Sequence, residues 1–293
     1  MIKDKFQANR TVISCEVFPP KRNDDMYTIF KTLDEIQPFH PDFISVTYGA
    51  GGSTSKKTAT IAAYIQNICE IDALAHLTSV AMDEELLIQT MQILQKKGVH
   101  NILALRGDQP RDMSDEAFLN RHFKHASDII PIIRSAADTD TIAAACYPEK
   151  HPESATVEDD LHYLKKKQDA GVDFFITQMF FDNDKFLTFR EQTRNHGIHI
   201  PISAGIMPIT SAKQIGTSIQ LSGSSVPTEL SNLLAKYGDS PVDMHKAGVD
   251  FAIRQIQALM QEAVDGIHLY TMNKSDVTQE IFSQIQMPSV LYH

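Results

Sequence analysis

The sequence has little cysteine and no long apolar segment. Its three cysteines, Cys15, Cys69 and Cys146, lie far apart and form no CxxC pair, which argues against a disulfide framework and against a thiolate zinc site. The first ten residues lack the apolar stretch of a signal peptide, and no uncharged apolar run approaches the roughly 18 residues that cross a bilayer. We therefore expect a cytoplasmic protein with reduced, buried thiols and no membrane segment.

Positive charge is also scarce. The chain has 27 Lys and Arg residues against 37 Asp and Glu residues, a net charge of −10, and the only basic cluster is Lys165 to Lys167. Nucleic-acid binding requires clustered basic residues that displace counterions from phosphates, so we expect no nucleic-acid partner. A hydrophobic fraction of 42% and a charged fraction of 22% exclude disordered and fibrous classes and indicate a large core.

Linkers and low-complexity tracts are missing as well, so we expect one domain over residues 1–293. Eight short apolar runs recur, most of them followed by a helical pattern: VISCEVF, DFISVTYG, ALAHLTSV, NILALRG, TIAAACYP, FFITQMF, PISAGI and GIHLYTM. Such runs suit strands that are buried on both faces of a parallel sheet. They predict an α/β fold of the (β/α)8 TIM-barrel class, with an extra helix between about Pro227 and Lys236 before the eighth strand. A doubly wound sheet is the alternative, weakened because no GxGxxG follows the first strand.

The active site of such a barrel lies at the C-terminal ends of its strands, so polar residues that end these runs are candidates. They are Glu16, Thr47, Tyr48, His76, Thr78, Arg106, Asp108, Tyr147, Glu149, His151, Gln178, Tyr270, Asn273 and Lys274. For any one of them, a hydrogen-bonded rim residue is the commoner explanation. Convergence of seven strand ends favours a site.

Glu16 is the sharpest candidate because it interrupts an apolar strand. Burial disfavours a charged carboxylate, so we expect a raised pKa for Glu16, suited to a general acid near neutral pH. A carboxylate paired with a neighbouring Lys or Arg is an equally good interpretation of the same pattern. Asp108 follows Arg106 and Gly107, where a glycine admits a flat ligand and a carboxylate can bind an N–H-rich heterocycle; Arg106 and Asp108 can instead pair with other rim charges.

The remaining signals are weaker. His76 and His151 belong to no local metal-ligand spacing, so we expect no metal. Asp160, Tyr163 and Lys167 share one helix face that could hold a ribose and a phosphate, although a solvated charged face is more common. The GAGGSTS loop could hold a phosphate through its backbone N–H groups.

Several motifs together resemble those of the methylenetetrahydrofolate reductase family of the bacterial, catalytic-domain-only type. The similar segments, in chain order, are SCEVFPPK, SVTYGAGGST, LALRGD, YPEKHPE, DAGVDFFITQMFFD and HLYTMN. The resemblance covers essentially the whole chain and implies a (β/α)8 barrel that binds FAD at the strand C-termini.

The resemblance also implies roles for individual residues. Glu16 would be the general acid that protonates the folate during ring opening, and Asp108 would lie between flavin and pterin. The residues implied to line the FAD site are Thr47, Tyr48, Ala50, His76, Arg106, Gly107, Asp108, Ala126, Tyr147, His151, Asp160, Tyr163 and Lys167. Gln178 would meet folate and nicotinamide in turn, and Gln214 and Lys274 would bind folate. The sequence departs from the family at Lys274, where an arginine is common, at Tyr163, at His125, and over 109–121, where no site is assigned.

The implied reaction is the FAD-dependent reduction of 5,10-methylenetetrahydrofolate to 5-methyltetrahydrofolate with NADH or NADPH, by ping-pong kinetics, in one-carbon metabolism and methionine biosynthesis. A proline dehydrogenase-like barrel that binds FAD is one alternative. Another is a folate- or flavin-binding subunit that needs a partner chain to receive electrons. The sequence specifies neither the preferred nicotinamide donor nor the oligomeric state, and a homo-oligomer is compatible with it.

Overall fold

Eight parallel strands pair in chain order and close into a barrel in the computed structural model, which describes residues 1–20, 25–48, 52–110, 112–136 and 138–287. The strands are β1 (Val12–Val17), β2 (Phe43–Val46), β3 (Asp72–Thr78), β4 (Asn101–Leu105), β5 (Thr141–Cys146), β6 (Phe174–Thr177), β7 (Ile202–Ile206) and β8 (Gly266–Tyr270). Pairing of β1 with β8, from Val12 opposite Gly266 to Glu16 opposite Tyr270, closes the ring. The predicted single-domain (β/α)8 barrel is confirmed.

Helices surround the barrel and bury their apolar faces against it. They are α1 (Ile2–Lys5), α2 (Met26–Ile36), α3 (Gly52–Asn67), α4 (Glu84–Lys96), α5 (Asp115–Leu119), α6 (Ala126–Ser135), α7 (Val157–Asp169), α8 (Asn183–Asn195), α9 (Ala212–Ser222), α10 (Thr228–Tyr237), α11 (Pro241–Gln261) and α12 (Ser275–Gln284). Helix α10 occupies the stretch in which the sequence places an extra helix. Helix α7 begins at a capping box, in which Thr156 and Asp159 satisfy each other's backbone N–H groups.

The core has an outer and an inner layer. The outer layer fills the space between strands and helices and includes Cys15, Cys69 and Cys146, which are buried and unpaired. Inside the barrel, Phe43 and Phe174 pack edge to face, with ring centroids 5.7 Å apart. Helix α1 contributes the buried Ile2 to this inner layer, and Phe6 packs on Phe174. Within the described residues, no helix is both long and apolar enough to span a membrane.

Carboxylates at the N-terminal end of the barrel fix neighbouring strands to each other. Asp42 accepts a hydrogen bond from the backbone N–H of Ile13 at 2.8 Å, and Asp173 accepts one from Ile142 at 2.7 Å. In each case an aspartate that precedes one strand binds an N–H at the start of the preceding strand. Arg134 also donates to Asp173, at 2.6 Å. These contacts satisfy donors that the strand ladder leaves free.

We expect Asp173→Ala to lower the free energy of unfolding by about 1–3 kcal/mol, because it leaves the Ile142 N–H without its acceptor and removes one of two acceptors of Arg134, which keeps the Gly171 carbonyl. Urea unfolding followed by circular dichroism measures this loss. The matched control is Asp169→Ala, which removes an exposed pair with Lys165 on the surface of α7 and should change stability by less than about 1 kcal/mol. Equal losses in the two variants would contradict a specific role for the Asp173 cap.

Candidate active site

The C-terminal ends of the strands bring most of the predicted site residues to one end of the barrel. Thr47 and Tyr48 follow β2, His76 lies in β3, Tyr147 follows β5 and Gln178 follows β6. Ala50, which the sequence also places here, lies outside the described residues. Because all eight strands are parallel, their C-terminal ends meet at one rim, and residues distant in sequence become neighbours there.

Glu16 is the centre of a polar cluster inside this rim. Its side chain is 16% exposed, and its Oε2 atom lies 3.3 Å from His76 Nε2 and 3.8 Å from His268 Nε2. The His76 contact is at ion-pair distance but does not have hydrogen-bond geometry. Ser45 Oγ donates to Glu16 Oε2 at 3.4 Å. Three strands besides β1 therefore supply partners to one carboxylate.

The expected raised pKa of Glu16 is wrong. Burial does raise the pKa of this carboxyl, but the neighbouring imidazoles of His268 and His76 lower it by more, to about 2. The sequence around Glu16 indicates burial and hence a raised pKa. The two imidazoles that lower the pKa come from β3 and β8, which are distant in the sequence. Glu16 is consequently ionised at neutral pH.

His268 was not among the predicted site residues. Its side chain is fully buried, and burial lowers its pKa, so the imidazole is neutral. The ring is held on both sides: Nδ1 lies 2.8 Å from Ser14 Oγ, and Nε2 lies 3.3 Å from Ser45 Oγ. The available signal was a histidine inside the apolar run GIHLYTM.

A cavity of about 450 Å³ opens between the ends of β2, β3 and β4, within the size range of small-molecule sites. Its lining residues are Tyr48, Thr78, Val80, Gly107, Asp108, Gln109, Pro110 and Asp112. Gly107 has a φ of +83°, and a Cβ there would lie 2.9 Å from Thr78 Cβ. Only glycine fits this close approach of the backbone to the end of β3. The next residue, Asp108, lines the cavity.

Arg106 is held by a residue that the sequence analysis did not select. Both terminal nitrogens of Arg106 donate to the Glu153 carboxylate, one of them at 3.0 Å. The hydrogen bonds from Arg106 lower the pKa of Glu153. The guanidinium also lies 5.7 Å from the ring of Phe118. Arg106 therefore pairs with another charged residue of the rim, as the alternative interpretation of the sequence holds. That residue is Glu153, in the loop after β5.

The predicted residues Tyr147, His151, Asp160 and Lys167 form a second group around that loop. The rings of Tyr147 and His151 meet edge to face at 4.5 Å. Asp160 accepts hydrogen bonds from Ser154 Oγ at 3.0 Å and from the His151 N–H at 3.3 Å. Lys167 Nζ donates to a carbonyl at the end of β5, 2.8 Å away. Burial raises the pKa of Tyr147 to about 12 and lowers the pKa values of His151 and Lys167.

Ala126 and Tyr163 lie at the edge of this group. Ala126 is the first residue of α6 and is buried. Its neighbour His125 packs against the exposed Tyr163 ring, with centroids 5.2 Å apart. The backbone N–H groups that begin α6 are suited to an anion.

Of three further predicted residues, Gln178 follows β6, Gln214 lies in the first turn of α9, and Lys274 directly precedes α12. Gln178 Oε1 accepts a hydrogen bond from the N–H of the next residue at 2.9 Å. Gln214 and Lys274 meet at Thr210, whose hydroxyl donates to Gln214 Oε1 at 3.0 Å and accepts from Lys274 Nζ at 2.7 Å. The structure therefore brings the two predicted folate-binding residues together. In the described part of the chain, no group of three or more His, Cys, Asp and Glu residues is arranged to hold a metal ion.

The chain matches the family model "Methylenetetrahydrofolate reductase" over residues 1–286. It is 34% identical over 282 residues to methylenetetrahydrofolate reductase (NADH) 1 of Arabidopsis thaliana, covering 93% of this chain and 48% of that protein. It thus spans about half the length of such plant relatives. It is 30% identical to 5,10-methylenetetrahydrofolate reductase of Escherichia coli, covering 92% of this chain and 88% of that one.

Among solved structures, a Clostridium thermocellum protein described as binding two copies of 5-methyl-5,6,7,8-tetrahydrofolic acid is similar, with a TM-score of 0.62 and 14% identity. The alignment covers 97% of both chains, and at this identity it supports the fold alone. The family match instead rests on sequence. The matched segment spans nearly the whole barrel and contains every residue of the cluster around Glu16. This chain belongs to the methylenetetrahydrofolate reductase family.

Proposed function

We propose that this protein reduces 5,10-methylenetetrahydrofolate to 5-methyltetrahydrofolate, with FAD as cofactor and NADH or NADPH as electron donor. The observation that carries the proposal is Glu16, a partly buried carboxylate at the C-terminal rim. Thr78, which lines the cavity, lies two residues beyond Glu16's partner His76 on β3. A proton donor and a place for a flat ligand therefore adjoin each other. Family membership supports the reaction class.

The residues at the rim fit FAD. Tyr48, Gly107 and Asp108 line a cavity whose wall includes glycine backbone, which allows the close approach of a planar ring system. The N-terminal end of α6 at Ala126 provides backbone amides that phosphates prefer, and Arg106 provides a cation when a phosphate displaces Glu153 from it. When bound, FAD supplies hydride transfer between the nicotinamide and the folate.

Glu16 supplies the proton that opening of the folate ring requires. The five-membered ring opens when the departing nitrogen is protonated, and the overall reaction consumes one proton. The carboxylate is ionised at neutral pH, because its pKa is about 2. A folate that covers the rim displaces water from Glu16, which favours the neutral acid. Glu16 therefore takes up its proton when the folate binds and donates it during ring opening.

Gln178 and Lys274 position the two ends of the substrates. The Gln178 amide carries both donors and an acceptor, so one side chain can bind a pterin and a nicotinamide in turn. This dual use of one site predicts ping-pong kinetics. Lys274, with Gln214 beside it on Thr210, offers a positive charge to the carboxylates of the folate tail. A lysine lacks the bidentate fork of arginine, so this contact has less geometric specificity.

We expect Glu16→Gln to separate the two halves of the reaction. Reduction by NADH or NADPH needs no proton from this side chain and should stay within about twofold of the wild-type rate, whereas reoxidation by methylenetetrahydrofolate should slow by about 10²-fold or more. Anaerobic stopped-flow absorbance measures each half-reaction, with 5-methyltetrahydrofolate identified as product. Wild-type protein that is not reduced by either nucleotide, or not reoxidised by the folate, would refute the proposed function. Equal slowing of both halves in the variant would refute the role of Glu16.

We also expect the oxidised protein to take up a proton when it binds methylenetetrahydrofolate at pH 7, approaching about one per folate. The sign follows from the pKa of Glu16: a carboxyl that is ionised before binding and neutral after it gains a proton. Calorimetry in buffers of different ionisation enthalpy measures the uptake. Glu16→Gln should bind folate without this uptake, and identical uptake in both proteins would assign the proton to another group.

Asp108→Asn should raise the midpoint potential of bound flavin and weaken folate binding. The carboxylate opposes the negative charge that reduction places on the ring, and the amide removes that repulsion with little change of shape. The substitution also removes a charge-assisted hydrogen bond to the pterin. A spectroelectrochemical titration measures the potential, and Asp169→Asn on the surface of α7 is the matched control. An unchanged potential in Asp108→Asn would rule out the placement of Asp108 beside the flavin.

A further inference from the structure

The turn that follows β8 continues the pairing of β1 beyond the end of the regular ladder. Backbone pairing of the two strands ends at Glu16 opposite Tyr270. Beyond that point one backbone bond remains, from the Thr271 N–H to the Glu16 carbonyl at 3.4 Å, and side chains supply the other contacts. Thr271 Oγ1 donates to the carbonyl oxygen of Glu16 at 2.6 Å, and the N–H of Asn273 donates to the same Thr271 hydroxyl at 3.1 Å.

Asn273 makes a two-point contact with the backbone two residues after Glu16. Its Nδ2 donates to the Phe18 carbonyl at 2.8 Å, and its Oδ1 accepts from the Phe18 N–H at 3.0 Å. The amide thus binds both polar groups of Phe18, as a backbone residue of a neighbouring strand would. The segment after Glu16 is fixed at Phe18 by a single side chain.

Two successive residues of the turn have a strained backbone conformation. Met272 and Asn273 have φ values of +53° and +56°, in the left-handed region that residues with a Cβ rarely occupy. Asparagine tolerates this conformation, whereas methionine does so at a cost. The neighbouring contacts maintain the strain, and its result is that the Asn273 side chain points back at β1.

We propose that Asn273 is a positioning residue for Glu16: it holds the end of β1 so that the Glu16 carboxyl remains aimed at the folate nitrogen that it protonates. This inference rests on the proposed function. The proton donor has partners on its carboxylate from β2, β3 and β8. Its backbone lies at the last rung of the ladder with β8, whereas the pairing with β2 continues to Val17 opposite Val46. On the β8 side, Thr271 holds the Glu16 carbonyl and Asn273 holds Phe18, so the turn fixes the donor's backbone at Glu16 and again two residues after it.

The same turn leads directly into Lys274, whose ammonium binds Thr210 at the rim of β7. Proton donor and predicted tail-binding residue are therefore attached to one short strained segment. Loss of the Asn273 contact should misalign the donor more than it weakens binding, because Lys274 keeps its own contact with Thr210.

Two substitutions test the proposal. Asn273→Asp keeps the acceptor but places a carboxylate oxygen against the Phe18 carbonyl, and Asn273→Gly removes both bonds while allowing the positive φ without strain. In both, we expect the limiting rate of reoxidation by methylenetetrahydrofolate to fall about tenfold or more, the cost of a small misplacement of a reacting group. Reduction by NADH or NADPH and the folate concentration that gives half the limiting rate should each stay within about twofold of wild type.

Asn67→Asp is the matched control, since Asn67 also donates its amide to two backbone carbonyls, at the opposite end of the barrel. It should leave both half-reactions unchanged. Thermal unfolding of each variant separates positioning from folding: the loss of two hydrogen bonds should lower the unfolding temperature of Asn273→Gly by a few degrees, and the variant should remain folded at the assay temperature. Equal slowing of both half-reactions, or a change only in the folate concentration dependence, would overturn the proposal. Wild-type protein that the folate does not reoxidise would refute the proposed function and this inference with it; normal wild-type behaviour with unaffected Asn273 variants would refute the inference alone.

Discussion

The candidate site depends on one electrostatic constraint: the partly buried carboxylate of Glu16 must be stabilised in its ionised form. Glu16 meets it with neutral or weakly basic partners. His268 is buried and neutral, Ser45 donates a hydroxyl, and His76 lies at ion-pair distance. No lysine or arginine of the described residues forms an ion pair with Glu16, so its charge is stabilised mainly by groups that can themselves exchange or reorient protons. A lysine or arginine partner would instead place a fixed positive charge beside the carboxylate.

Barrel closure is what makes this arrangement possible. Ser14 lies directly opposite His268 in the β1–β8 pairing, and Ser45 lies opposite Glu16 in the β1–β2 pairing. A slip of one residue in either pair would turn these side chains to the other face of the strand. The register is therefore as important to the site as the residues are. The aspartates at the N-terminal rim, such as Asp42 and Asp173, contribute to it because each one binds the start of the neighbouring strand.

The sequence predicts the architecture well because buried parallel strands and amphipathic helices are local patterns. It also selects Glu16 and Asp108, since a carboxylate at the end of an apolar run is visible in one segment. The partners of Glu16 are not visible in this way. His268 lies near the other end of the chain, and only closure of the barrel places it beside β1. The sign of the Glu16 pKa shift was wrong for the same reason: burial is a local property, whereas the imidazoles that outweigh it come from other strands. Glu153 was missed because its partner Arg106 belongs to another loop.

The residues other than glycine that have a positive φ fall into two groups, one at each end of the barrel. His40, Glu70, Asp138 and Ala263 follow helix ends, where a left-handed residue is an ordinary way to stop a helix. Lys150, Met272 and Asn273 follow strands instead, on the rim that carries the site, and no helix end accounts for them. Their strain must be balanced by specific contacts. For Asn273 the contacts are with Phe18, and for Lys150 they are with carbonyls of its own loop. Lys150, Met272 and Asn273 therefore belong to the loops around Glu16 and Arg106. Strained backbone residues commonly cluster at functional sites, and their distribution in this barrel agrees with that tendency.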